Sequence, residues 1–118
     1  MKDGWLHHLD PEQSAQVCFG NVEEGIEWIK RFTQHSARSF VDELTYAGYK
    51  EVPVSWLFTE KDSVVLPRIQ QASISIIEDA SGHNVDVTRI PFGHMPHIDA
   101  PELVVDWMVH LIGKGGQE

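Results

Sequence analysis

A chain of 118 residues with 42% hydrophobic content has the length and apolar content of about one globular domain. Its net charge of −9, from 18 acidic against 9 basic residues without a Lys/Arg run, leaves no basic stripe to neutralise phosphates, so nucleic acid is not expected as a partner. No apolar run approaches the roughly 18 residues of a membrane span and the first residues lack a signal-peptide core; the lone Cys18 can form no internal disulfide, so a cytoplasmic, membrane-free setting is expected.

Residues 1–20 read as irregular, punctuated by Gly4, Pro11 and Gly20, with a short helix able to start after Asp10. Asn21 is suited to cap a helix, with Glu23 and Glu24 in the first turn, where the helix dipole favours acids. Val22, Ile26, Ile29 and Phe32 recur at helical spacing and predict a helix to about Gln34. A second, shorter helix is expected over Ser36 to Leu44, presenting Phe40, Val41 and Leu44 on one side.

After the turn-like residues 46–50, Val52 to Thr59 are nearly continuously apolar and β-branched or aromatic, which suggests a strand buried on both faces. Pro67 opens a helix carrying Ile69, Ala72, Ile76 and Ile77 to a stop at Ala80-Ser81-Gly82. The unit repeats with a strand over Asn84 to Ile90, a loop to Asp99, and a helix from Pro101 with Leu103, Val104, Trp107, Met108, Leu111 and Ile112, ended by Gly113, Gly115 and Gly116. Strand, helix, strand, helix is the α/β class, with a right-handed parallel crossover. Two strands are too few for a self-sufficient parallel sheet, so the chain reads as part of something larger.

In open α/β sheets, chemistry gathers beyond the carboxyl ends of the strands, here the loops 59–67 and 90–97. An acid in one loop and a histidine in the next can pair so that the carboxylate fixes the imidazole tautomer. Asp62 and His94 are the candidates, with Gly93 expected to permit a tight turn before the histidine. Glu60 is the alternative acid in the same loop. Ser63 reads as a capping or loop hydroxyl, and none of the eight serines is flanked by the glycines of a G-x-S-x-G elbow.

Other chemistry-bearing residues carry less. His94 and His97 flank Met95-Pro96, but the proline breaks a helix and no third ligand is near in sequence, so no metal site and no cofactor are expected. His7 and His8 read as a solvated terminus, His35 and His83 as turn residues, and His110 as a helix-surface residue. Cys18 reads as a buried or loop thiol, since nothing around it lowers a thiol pKa. Trp56 and Trp107 read as core, Trp5 and Trp28 as packing surface.

Residues 52–112 resemble the C-terminal segment of the α/β-hydrolase family. The likeness lies in Val52-Pro53-Val54 opening a strand, Glu60-Lys61-Asp62 with Val64, Val65 and Pro67 behind it, and Gly93-His94-Met95-Pro96 followed by Asp99-Ala100-Pro101-Glu102 and a final amphipathic helix. The resemblance implies a partial α/β-hydrolase fold at 49–118, preceded over 1–48 by an irregular N-terminus and cap-like helices. It implies that Asp62 is the triad acid and His94 the triad base. The wording is also similar to small fungal-type esterases and hydrolases, some encoded beside natural-product pathways. The expected lineage is therefore a serine-type hydrolase of carboxylic esters or related acyl substrates, with the nucleophile upstream of Met1, in a missing N-terminal half or a partner chain. The alternative expectation is a non-catalytic remnant that docks on a partner.

Overall fold

The computed structural model describes residues 4–6 and 10–115; His7, His8 and Gly116 lie outside them. Asp10 caps helix α1 (Pro11–Cys18) by accepting from the Gln13 N–H at 3.0 Å. Asn21 caps α2 (Val22–Ile29) by accepting from the Glu24 N–H at 3.2 Å. The two helices pack through Ala15, Phe19 and Ile29. Gly25 permits their close approach, because a Cβ there would lie 2.8 Å from the Phe19 ring.

α2 stops earlier than the apolar spacing predicts. Beyond Ile29 the backbone tightens into three-residue turns, Arg31 N–H to Trp28 and Phe32 N–H to Ile29, and the chain then extends. A short antiparallel ladder follows, with β1 (Trp5–Leu6) paired to β2 (His35–Ser36). The second helix expected over Ser36 to Leu44 is only a 3₁₀ turn at Ala37–Phe40. Ser36 is held extended by the ladder, and the Ser39 hydroxyl donates to its carbonyl at 2.7 Å, a local bond that competes with helix formation. Phe40, Val41 and Leu44 are 70–79% exposed, so the predicted apolar face is largely unburied; Phe40 meets the His35 ring at 5.0 Å between centroids.

The second half is a parallel pair of strands and their helices. β3 (Ser55–Thr59) and β4 (Asp86–Ile90) align from Ser55 opposite Asp86 to Thr59 opposite Ile90. Between them runs α3 (Pro67–Ser81), with Pro67 in its first turn, where a missing N–H costs nothing, and Gly82 closing it at φ +73°. Phe58, Ile74 and Val85 form the core, with Val54, Trp56, Ile77 and Val87 against them. Burying Ile74 almost completely is worth about 1.5–3 kcal/mol.

After β4 come the short α4 (Pro96–Asp99) and the long α5 (Pro101–Gly115). Gly113 does not end α5, and Lys114 ties its last turn to Asp86 at 3.1 Å. Leu103, Val104, Trp107 and Leu111 are half-buried, whereas Met108 and Ile112 are exposed together with Val105 and Val109. No helix among the described residues is long and apolar enough to cross a membrane.

Candidate active-site dyad

The loop after β3 is a tight turn built around its aspartate. Asp62 Oδ1 accepts the backbone N–H groups of Val64 and Val65, both at 2.9 Å, while Oδ2 accepts from the Thr59 hydroxyl at 3.0 Å. The loop after β4 lies beside it, because the Lys61 N–H donates to the Phe92 carbonyl at 3.0 Å. His94 Nδ1 is thereby brought to 3.0 Å from Asp62 Oδ2. A carboxylate can only accept, so Nδ1 carries a proton, and in the neutral imidazole Nε2 is the nitrogen that keeps its lone pair, the tautomer of a general base.

Asp62 is 6% exposed and His94 half-buried. Burial pushes the Asp62 carboxyl up, but the hydrogen bonds from His94, Val65, Val64 and Thr59 together outweigh it and hold the group below its ordinary value. The dyad is thus an ionised acid with all four of its hydrogen-bond donors in place.

Gln70 organises this turn and was not picked out by the sequence reading. It is 2% exposed on the inner face of α3, one turn before Ile74. Its carboxamide oxygen accepts from the Thr59 N–H at 3.1 Å and from Trp56 Nε1 at 3.3 Å. Its nitrogen donates to the carbonyls of Thr59 at 3.0 Å and Val65 at 2.8 Å, and reaches the Thr59 hydroxyl at 3.1 Å. A continuous chain of donors therefore runs from Gln70 through Thr59 to Asp62, where it meets the His94 N–H. The helical pattern did not mark it: the adjacent Gln71 is exposed, as are the apolar Ile69 and Ile76.

The other sequence candidates fall outside the dyad. Glu60 and Ser63 are exposed, and neither hydrogen-bonds to His94. Gly93 has no positive φ, and a Cβ there would meet only the Lys61 carbonyl at 3.8 Å, so neither its backbone nor its surroundings require a glycine. His97 and His110 are exposed, and no cluster of three or more potential metal ligands occurs among the described residues.

Two cavities meet at His94. One, of about 620 Å³, lies toward the N-terminal half and is lined by Cys18, Phe32, Phe40, Val64, Met95 and His94 among others. Burial and the nearby Asp62 charge push the Cys18 thiol up, which favours its protonated form. The other, of about 380 Å³, runs along β3. The helical pair α1 and α2 is fastened to the histidine loop by Met95 and Ile98, which pack on its core, and by Asp99, whose two oxygens lie 3.1 and 3.0 Å from the Gly20 N–H.

With this geometry in view, one comparison is informative. The chain is 32% identical over 115 residues to a protein of Phoma sp. named "Probable hydrolase R7". The match covers 96% of this chain but 47% of that protein, so the chain spans about half the length of this relative. No family model matches the chain, and no solved structure is significantly similar to it.

Proposed function

We infer that this chain supplies the acid and base of a serine-type hydrolase acting on carboxylic esters or related acyl compounds, within a partial α/β-hydrolase fold. The observation that carries this reading is the buried Asp62 carboxylate hydrogen-bonded to His94 Nδ1, which fixes the tautomer of the neutral ring with Nε2 as its acceptor, on a residue that lines a largely apolar cavity. The likeness to a hydrolase over nearly the whole chain supports the same reading.

The chemistry follows from that tautomer. A serine hydroxyl supplied by the remainder of the fold attacks the acyl carbon while His94 Nε2 takes its proton. The imidazolium, stabilised by Asp62, then returns that proton to the leaving alcohol as the ester C–O bond breaks. A water deprotonated by Nε2 releases the acid and restores the serine. In this reading the donors for the oxyanion come from the same remainder as the G-x-S-x-G elbow, a pentapeptide the 118-residue sequence does not contain.

The test is a chimera in which this chain replaces the matching 115 residues of the Phoma hydrolase. Saturable turnover of an activated aryl ester, lost in the His94→Ala and Asp62→Ala versions, is expected. Turnover no faster than free imidazole at equal concentration would favour the non-catalytic, partner-docking reading instead.

A further inference from the structure

The larger cavity at His94 holds a charge that the catalytic steps leave unused. Its walls are mostly apolar, from Leu6, Phe32, Phe40, Val64 and Met95, and no Asp or Glu is found among the described residues that line it. The chain as a whole has twice as many acidic as basic residues, 18 against 9, so composition alone does not explain that lack of acids. Among the same lining residues Arg31 is the only permanently charged one.

The turn that ends α2 sets Arg31 in place. Its N–H bonds to the Trp28 carbonyl, and its guanidinium lies over the Trp28 ring at 5.2 Å from the centroid. The indole is held in turn by its Nε1–H, which donates to Glu24 at 3.4 Å. A cation–π contact narrows the freedom of a guanidinium without consuming its N–H donors. None of the ion pairs among the described residues includes Arg31: Glu27, near the end of α2, is bound to Lys30, and Asp62 to His94.

One fixed cation among apolar walls recognises a ligand of matching make-up. A carboxylate meets a guanidinium charge for charge through two parallel N–H···O bonds, whereas a phosphate dianion would bring a second charge that no fixed cation in the lining meets. The volume of about 620 Å³ suits a small molecule rather than a polymer. We propose that the cavity selects small ester substrates whose apolar body carries a free carboxylate remote from the scissile bond, and that Arg31 binds this carboxylate. This rests on the functional reading above and names the substrate class of that site. The remote carboxylate takes no part in the chemistry, but its binding energy holds the ester beside His94. Because Arg31 is exposed, water competes for it, and the gain is set at the lower end for a charge-assisted pair.

The test uses the chimera with the Phoma hydrolase and matched pairs of activated aryl esters, one member with a free carboxylate and the other with that group capped as its methyl ester. In one set the carboxylate ends the acyl chain, in mono-p-nitrophenyl esters of the diacids from adipic to sebacic; in the other it sits on the alcohol, in hexanoyl esters of 4-hydroxybenzoic acid. In at least one set the free carboxylate should raise kcat/KM on the order of tenfold, mainly through KM. Arg31→Gln should bring that ratio to one or below, and Arg31→Lys should restore part of it. Arg38→Gln, at an exposed arginine paired with Asp42 outside the cavity, should leave the ratio as it is. A ratio at or below one in both sets, or one that falls equally in the Arg31→Gln and Arg38→Gln proteins, would overturn the proposal. Binding to the 118-residue chain alone separates this claim from the catalytic one. The amide counterparts of the preferred set should give saturable shifts of the Met95 methyl resonance, with the capped members binding on the order of tenfold more weakly. Selective binding with an inactive chimera would sink only the catalytic reading; an active chimera that uses free and capped esters alike would sink only this one; equal binding or none, with an inactive chimera, would sink both.

Discussion

Replacing Asp62 by asparagine keeps the shape of the side chain and inverts half of its hydrogen-bonding capacity. If the amide oxygen stays on the Val64 and Val65 N–H groups, each bond changes from charge-assisted to neutral. The new NH₂ then meets two donors, the Thr59 hydroxyl and His94 Nδ1. His94 must move its proton to Nε2 and accept at Nδ1, the tautomer that cannot serve as base. Weighing charge-assisted bonds at about 1.5–3 kcal/mol and neutral ones at about 0.5–1.5, Asp62→Asn should cost about 3 kcal/mol near neutral pH. Urea unfolding measures the cost, and imidazole ¹⁵N shifts read the tautomer. The pH dependence has a definite sign: the Asp62 carboxyl is held below its ordinary value of 3.8, so its contribution is complete above the unfolded value and is lost as pH falls through the folded one. The gap between wild type and variant should therefore be present at about pH 5 and shrink below about pH 4. A protein equally stable at neutral pH with asparagine, or one whose His94 keeps its proton on Nδ1, would refute this reasoning.

Two further predictions concern the groups that hold the dyad. Gln70→Leu removes the bonds to Thr59, Val65 and Trp56 and strands buried backbone groups, and should cost about 2–4 kcal/mol by urea unfolding while broadening the His94 ring resonances. Asp99→Ala frees the Gly20 N–H and should cost about 1 kcal/mol, read as a lower Tm, with faster amide exchange from Gly93 to Ile98 because the histidine loop loses one of its ties to α1 and α2.

What was legible in the sequence was local. Asp10 and Asn21 cap helices where their side-chain chemistry suits that position, and Pro67 and Gly82 bound α3 for equally local reasons. The pairing of Asp62 with His94 was readable because each follows a strand, and parallel neighbours bring successive loops together. What was not legible depended on tertiary pairing. The β1–β2 ladder draws His35 and Ser36 into extended backbone, which shortens one predicted helix and replaces the other. Gln70 escaped notice because an exposed and a buried glutamine look the same in a helical pattern; only the proximity of Thr59 turns it into a buried clamp.

The central claim is that His94 is a working base positioned by Asp62, and active-site labelling tests it without knowledge of the substrate. The chimera with the Phoma hydrolase would be treated with a fluorophosphonate and the modified residue located by mass spectrometry. The account predicts stoichiometric labelling of one serine in the Phoma portion, abolished by His94→Ala and strongly slowed by Asp62→Asn. Serine labelling that proceeds unchanged in the His94→Ala protein would contradict it.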